Sequence, residues 1–212
     1  MILLGNEIRD AIESGKIKFN GTTQNIGPNS VDVTLGSTIK TLVPSRIVRV
    51  EDSNGSFYTF EKKELPRYFH LDIKKENPTY EFEIPQEGVV LLPGQLYIAG
   101  TIEFAGSDHY VPMYEGRSSM ARLGVQSHIS AGFGDVGFKE RWTLEIIVVH
   151  PIKIYPNIRI GQVAFHTVNE KALKELQKEG ALYASKYSKD NAAKTSMSFL
   201  DFDESGNPKT RT

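Results

Sequence analysis

The chain contains no cysteine. That absence removes disulfides, thiolate nucleophiles and any zinc site built on Cys ligands. A dominant charge is missing too: Lys and Arg number 25 against 26 Asp and Glu, a formal net charge of -1. A sequence-independent nucleic-acid binder carries a basic excess, and no bulk field here draws the chain to DNA or membrane. Any bound anion must therefore meet a local cluster of donors. Long apolar runs are also lacking, and none approaches the ~20 residues of a membrane-spanning helix. The opening MILLGNEIRDAIESGK has a short apolar start followed by acidic side chains, unlike a secretory signal. A soluble, cytoplasmic protein is the expectation, and 212 residues are enough for one good-sized core.

What is present reads mostly as strand. Ile8, Ala11 and Ile12 fall at helical spacing before Gly15, giving one short amphipathic helix. From about residue 26 to 168 the signals are short β-branched segments broken by Gly and Pro. Val31 and Val33 alternate around Asp32, and Leu35-Gly36 reads as a turn. Segments 38–50, 80–92, QLYIAGTIEF, WTLEIIVV and IRIGQVAFHTV are the other strand candidates. Residues 51–79 are polar and charged, a surface insertion with a hairpin turn at Asn54-Gly55. Asn169 can cap a second helix through Ala172, Leu173 and Leu176, which Gly180 would end. Residues 181–212 are too polar to pack alone and read as a flexible tail, or as a segment that orders over a ligand. Residues 1–180 make a single domain. Many short strands with helices only at the ends argue for an all-β barrel or jelly roll.

Three stretches carry the chemistry. EGRSSMARLG, residues 115–124, packs two guanidinium groups, two hydroxyls and bare backbone into a few positions. Such donors suit a phosphate chain; the plainer alternative is a polar turn with Arg117 paired to Glu115. HISAGFGDVGF, residues 128–138, holds Asp135 among Gly132, Gly134 and Gly137. An aspartate there can orient a water, grip a sugar hydroxyl, or simply form a turn. His128 lacks a partner at zinc spacing and reads as structural. Glu145 lies among Leu144, Ile146 and Ile147, and a carboxylate desolvated there would suit proton transfer. It could equally face outward, or pair with Arg122. There is no nucleophile elbow, Walker loop or dinucleotide fingerprint, and the zinc-deaminase signature cannot exist without cysteine.

Taken in order, EGRSSMARLG, HISAGFGDVGF, TLE and RIGQVAF resemble the dCTP deaminases, which share their fold with trimeric dUTPases. MILLGNEIRDAIESGKI, IGPNSVDVTLG and LLPGQLYIAGTIE extend the resemblance over most of residues 1–168. It implies a dUTPase-like distorted jelly roll or β-barrel with short terminal helices, and a homotrimer with sites between subunits. It also implies hydrolytic deamination of dCTP to dUTP, with no catalytic metal and Mg2+ held by the triphosphate. By motif position, Glu145 matches the carboxylate that activates the water, and Ser118 and Arg122 match the residues that hold it. Arg117, Ser119 and Gln162 match phosphate contacts, and Lys186 and Tyr187 match the family's closing segment, a candidate active-site lid. Backbone groups of Ile129 and Ala131 would read the pyrimidine edge, while Asp135 and Phe138 would receive the deoxyribose. AGF at 131–133 is the form seen in members that also remove pyrophosphate, so a bifunctional enzyme giving dUMP is an alternative. A non-catalytic nucleotide-binding regulator is another, motivated by Gly134 and the Glu140-Arg141 pair, which depart from the family's usual residues.

Overall fold

The computed structural model describes residues 1–42, 48–51, 56–59, 70–183, 187 and 193–209. The opening amphipathic stretch forms α1 (Gly5–Glu13), burying Ile8 and Ala11. Its N-cap, Leu4, has no side-chain acceptor, and Glu7 reaches back to accept the Leu4 N–H at 2.8 Å. After Gly15 the chain enters β1 (Ile17–Phe19).

Alternating segments then build the sheets. β2 (Val31–Leu42), β3 (Val48–Glu51), β4 (Ser56–Thr59) and β5 (Thr79–Glu83) come first. β6 (Val89–Leu91), β7 (Tyr97–Ser107) and β8 (Tyr110–Gly116) follow. A single helical turn, α2 (Ser118–Arg122), leads to β9 (Val125–Gln126) and β10 (Arg141–Val148). β11 (Ile152–Ile154), β12 (Arg159–Thr167) and α3 (Glu170–Lys178) complete the order. The Asn169 side chain caps α3, its Oδ1 accepting from the Ala172 N–H at 3.0 Å. The larger sheet runs β8-β12-β2-β7-β10-β9, with β1 added to β7 and β5 to β2; the smaller runs β11-β6-β3-β4. All of these pairings are antiparallel. This is the mainly β, jelly-roll-like architecture with a short helix near each end that the sequence pattern implies.

Inward positions carry the core. Val31, Val33 and Leu35 on β2 meet Leu144 and Ile146 on β10 and Val163 and Phe165 on β12 within one buried cluster. The strand period of two sends their neighbours Asp32, Glu145 and Gln162 to the other face. One sequence expectation fails here. Leu35-Gly36 does not turn the chain; β2 runs straight through it. The register against β7 shifts between Leu35 and Ile39, and a Cβ on Gly36 would lie 3.0 Å from the Gly100 carbonyl oxygen. Glycine is there for close approach at a bulge. Buried Glu103 of β7 supplies partners beside that shift, accepting the Thr34 N–H at 2.7 Å and its hydroxyl at 2.8 Å.

In the charged stretch 51–79, β4 pairs with β3 and β3 joins the smaller sheet through β6, while the Asn54-Gly55 turn lies outside the described residues. The C-terminal segment comes back to this region. The Ser198 hydroxyl donates to the Ile73 carbonyl at 2.7 Å, and Lys74 Nζ donates to the Gly206 carbonyl at 2.8 Å.

Candidate active site

The β8 strand ends at Gly116, and Arg117 caps α2 with its backbone carbonyl, accepting from Met120 and Ala121 N–H groups at 3.0 Å. A helix this short does not stand alone; Met120 anchors it by packing on the core. Ser118, Ser119 and Arg122 are exposed on it. Arg117 turns back to the sheet, and its partner is not Glu115. Its Nε lies 3.6 Å from Oδ1 of Asp32, whose Oδ2 accepts from Arg159 Nη1 at 3.2 Å. The reason is strand order: β12 separates β8 from β2, so Glu115, Gln162 and Asp32 stand in one row across three strands. Gln162 is fixed in that row by the Ser30 hydroxyl, which donates to its Oε1 at 2.9 Å and leaves the amide NH2 for another acceptor.

The glycine-rich stretch before β10 lies along β8. Tyr114 N–H donates to the Gly132 carbonyl at 2.6 Å, Gly134 N–H to the Pro112 carbonyl at 2.9 Å, and Met113 bridges Phe133. There is no room for a side chain at Gly134: a Cβ would sit 2.9 Å from both the Pro112 ring and Trp142. Glycine at 134 is thus matched to its packing. Asp135 is exposed and its carbonyl accepts the Phe138 N–H at 3.0 Å. The Phe138 ring is half-buried, with centroid distances of 4.8 Å to Trp142 and 5.5 Å to Tyr183. His128 packs edge-on against Tyr114 at 5.4 Å. Burial holds the Tyr114 hydroxyl well above the ordinary tyrosine pKa, so it stays a neutral donor to Ser127 Oγ at 2.8 Å.

Glu145 is half-buried on the outer face of β10; Leu144 and Ile146 point to the core instead of surrounding it. Its Oε2 accepts the Ile129 N–H at 3.3 Å, bringing the carboxylate against the backbone expected to read a pyrimidine edge. Ala131, two residues on, is exposed. Among the described residues, no hydrogen bond or ion pair joins Glu145 to Ser118 or Arg122 within one chain. The C-terminal segment crosses the same outer face. Ala193 lies against Gly100, and Lys194 N–H donates to Thr143 Oγ1 at 3.4 Å, two positions before Glu145. The Tyr187 hydroxyl accepts the Met197 N–H at 3.1 Å; Lys186 lies outside the described residues.

Clefts among the described residues include two near this face. One of about 440 Å³ is lined by Ser37, Lys40, Gly100, Arg141 and Ala193, and one of about 380 Å³ by Gly116, Ala121, Gln126, His128 and Val149. Neither encloses Glu145. Hydrogen bonding and strand register, not cleft size, define the candidate site, and in one chain it is an open face. Asp32, Ser30 and Arg159 were not singled out by sequence reading. Period-two alternation placed Asp32 opposite Val31 and Val33, but its partners lie on strands distant in the chain.

A family model described as dCTP deaminase-like matches residues 2–168. The chain belongs to that family. It is 38% identical over 205 residues to a protein of Clostridium beijerinckii named dCTP deaminase, dUMP-forming, a match covering 96% of this chain and 100% of that relative. A protein of Cytophaga hutchinsonii with the same name is 38% identical over 204 residues, again covering 96% and 100%. One of Leptospira biflexa, also so named, is 46% identical over 136 residues, covering 64% of this chain and 74% of the relative. Among solved structures, the 2'-deoxycytidine 5'-triphosphate deaminase from Agrobacterium tumefaciens aligns with a TM-score of 0.54 at 20% identity. That alignment covers 89% of this chain and 56% of the other, a likeness of fold alone. No described helix is long and apolar enough to cross a membrane.

Proposed function

We propose that the chain hydrolyses dCTP to dUMP, ammonia and pyrophosphate. One observation carries the choice of product: the relatives matched over their whole length are named dUMP-forming. The sequence reading put release of dUTP first; its bifunctional alternative now stands ahead.

In this reading one water adds its oxygen to C4 of the cytosine ring. Glu145 takes the proton from that water and passes it to the ring's amino nitrogen, which leaves as ammonia. The Ile129 N–H holds the carboxylate beside the base, and Ile129 and Ala131 backbone groups meet the pyrimidine edge. Ser118 and Arg122 hold the water and the charge that develops at C4. A second water then attacks the α-phosphorus, the bond to the bridging oxygen breaks, and pyrophosphate departs. Arg117, Ser119 and Gln162 hold the phosphates. Asp135 meets the deoxyribose, with Phe138 behind it, stiffened by Trp142 and Tyr183. Lys186 and Tyr187 belong to the segment that closes over the nucleotide.

Magnesium enters with the substrate. Its oxygen ligands would come from the triphosphate and water. Exposure of Ser118, Ser119, Arg122 and Asp135 in the single chain supports a site completed by neighbouring copies in a homotrimer. A deoxynucleotide substrate suits a cytoplasmic enzyme. The test is incubation with dCTP and magnesium, resolving products by chromatography. Matched dUMP and pyrophosphate are expected; accumulating dUTP would restore the simpler reaction, and persisting dCTP would overturn both.

A further inference from the structure

Two arginines share one carboxylate at the edge of the proposed phosphate site. Asp32 lies on the outer face of β2, with its side chain 18% exposed. Oδ1 faces Arg117 Nε at 3.6 Å and Oδ2 faces Arg159 Nη1 at 3.2 Å. The contact to Arg117 uses Nε, so its two terminal amino groups stay available as a fork for phosphate oxygens. Both partners are set by register. Gln162 pairs with Asp32 on one side and with Glu115 on the other, and Arg159 lies on the same strand as Gln162. The row Asp32, Gln162, Glu115 thus ends two residues before Arg117.

We infer that Asp32 is a positioning residue for the phosphate site, orienting Arg117 through Nε while Arg159 takes up the other carboxylate oxygen. This rests on the reading of Arg117 as a phosphate contact. An arginine side chain carries much rotamer freedom, which it loses when it grips a ligand. Tethering it beforehand lowers that loss, as preorganisation does generally. Arg159 has a second effect. Asp32 and Glu115 carry two negative charges and Arg117 and Arg159 two positive ones, so the row is neutral only while Arg159 is present. Without it, Asp32 would set its whole charge against Arg117 and hold that side chain away from the fork geometry that phosphate needs.

Steady-state kinetics on Asp32→Asn, Arg159→Ala and Arg117→Ala, singly and in pairs, test the inference. Asn keeps the shape of Asp32 but loses its charge and turns an NH2 toward one guanidinium. Asp32→Asn should raise KM for dCTP about tenfold with kcat held within about threefold, and Asp32→Glu should recover part of it. Arg159, with its side chain 54% exposed, can be removed without disturbing the core; its loss should raise KM about threefold to tenfold. Combined with Arg117→Ala, neither change should add its full effect, since both act through that residue. Unchanged KM in Asp32→Asn and Arg159→Ala, beside a raised KM in Arg117→Ala, would overturn the positioning role and leave the phosphate reading intact. A loss of melting temperature at unchanged KM would mark a purely structural ion pair and overturn it too. Unchanged KM in Arg117→Ala itself would remove the phosphate reading and this inference together. Should Asp32→Asn not fold, the Arg117→Ala and Arg159→Ala cycle decides alone: non-additive KM effects uphold the inference and additive ones reject it.

Discussion

Replacing Glu145 by Gln removes one proton acceptor and little else. The side chain stands half-buried on the outer face of β10, where Oε2 accepts the Ile129 N–H at 3.3 Å. A glutamine carbonyl can accept the same bond, so the stretch 127–138 should keep its place against the strand. The bond becomes neutral instead of charge-assisted, a loss on the order of 1 kcal/mol, or about fivefold in affinity at most. The amide cannot take the water's proton at all, and loss of a general base costs about 10²–10⁴ in rate. The two effects separate cleanly: kcat for ammonia release should fall by at least two decades, while dCTP affinity by calorimetry moves less than one. Ammonia release within a few-fold of the parent would show that Glu145 is not the base. A collapse of binding with the rate at saturation preserved would move Glu145 from chemistry to recognition.

Arg117→Ala should raise KM for dCTP by about one to two decades, since a charged hydrogen bond is worth ~1.5–3 kcal/mol; a pure kcat defect would contradict the phosphate role. Gly134→Val should lower the melting temperature, because a side chain there meets the Pro112 ring and Trp142, and overpacking costs ~1–3 kcal/mol; an unchanged melting curve would mean the stretch is looser than its contacts indicate. Stability should decline as pH rises above 10, the ordinary tyrosine value. Buried Tyr114 keeps its proton when the unfolded chain loses it, so the unfolded state binds fewer protons there; Tyr114→Phe should flatten that slope, and an identical slope would refute it. Light scattering should find a trimer, and a monomer active at nanomolar dilution would refute a shared site. Deleting residues 181–212 should leave a folded protein with weakened dCTP binding, and undiminished binding would sink the lid.

Strands were legible where β-branched residues alternate and Gly or Pro interrupts them. WTLEIIVV became β10 and IRIGQVAFHTV became β12 nearly residue for residue. Gly36 misled because glycine after leucine has the same appearance at a turn and at a bulge. The difference lies in Gly100 on β7, which no local window contains. Arg117 misled for a related reason. Glu115 is its nearest acid in sequence, yet β8 ends between them at Gly116 and Arg117 opens α2. Asp32 is distant in sequence but lies only two strands across. Charge pairing in a sheet is decided by strand order, and strand order is not written locally.

The same geometry explains why the candidate site was half legible. Apolar neighbours suggested that Glu145 was enclosed, but the period of two sends Leu144 and Ile146 to the core and leaves Glu145 outside. Asp32, Gln162 and Glu115 obey the same rule on their strands. The core therefore cannot supply the dry surroundings that proton transfer favours; whatever covers this outer face must do so. A segment of the chain itself lies there, with Ala193 and Lys194 against Gly100 and Thr143 beside Glu145. That segment is held from behind by the contacts of Ser198 with Ile73 and of Lys74 with Gly206. If the segment covers bound nucleotide as proposed, the region 70–77 braces it through those contacts. A nucleotide lying on this face would have the core strands beneath it, the closing segment above it, and the Arg117–Asp32–Arg159 row at its phosphate end.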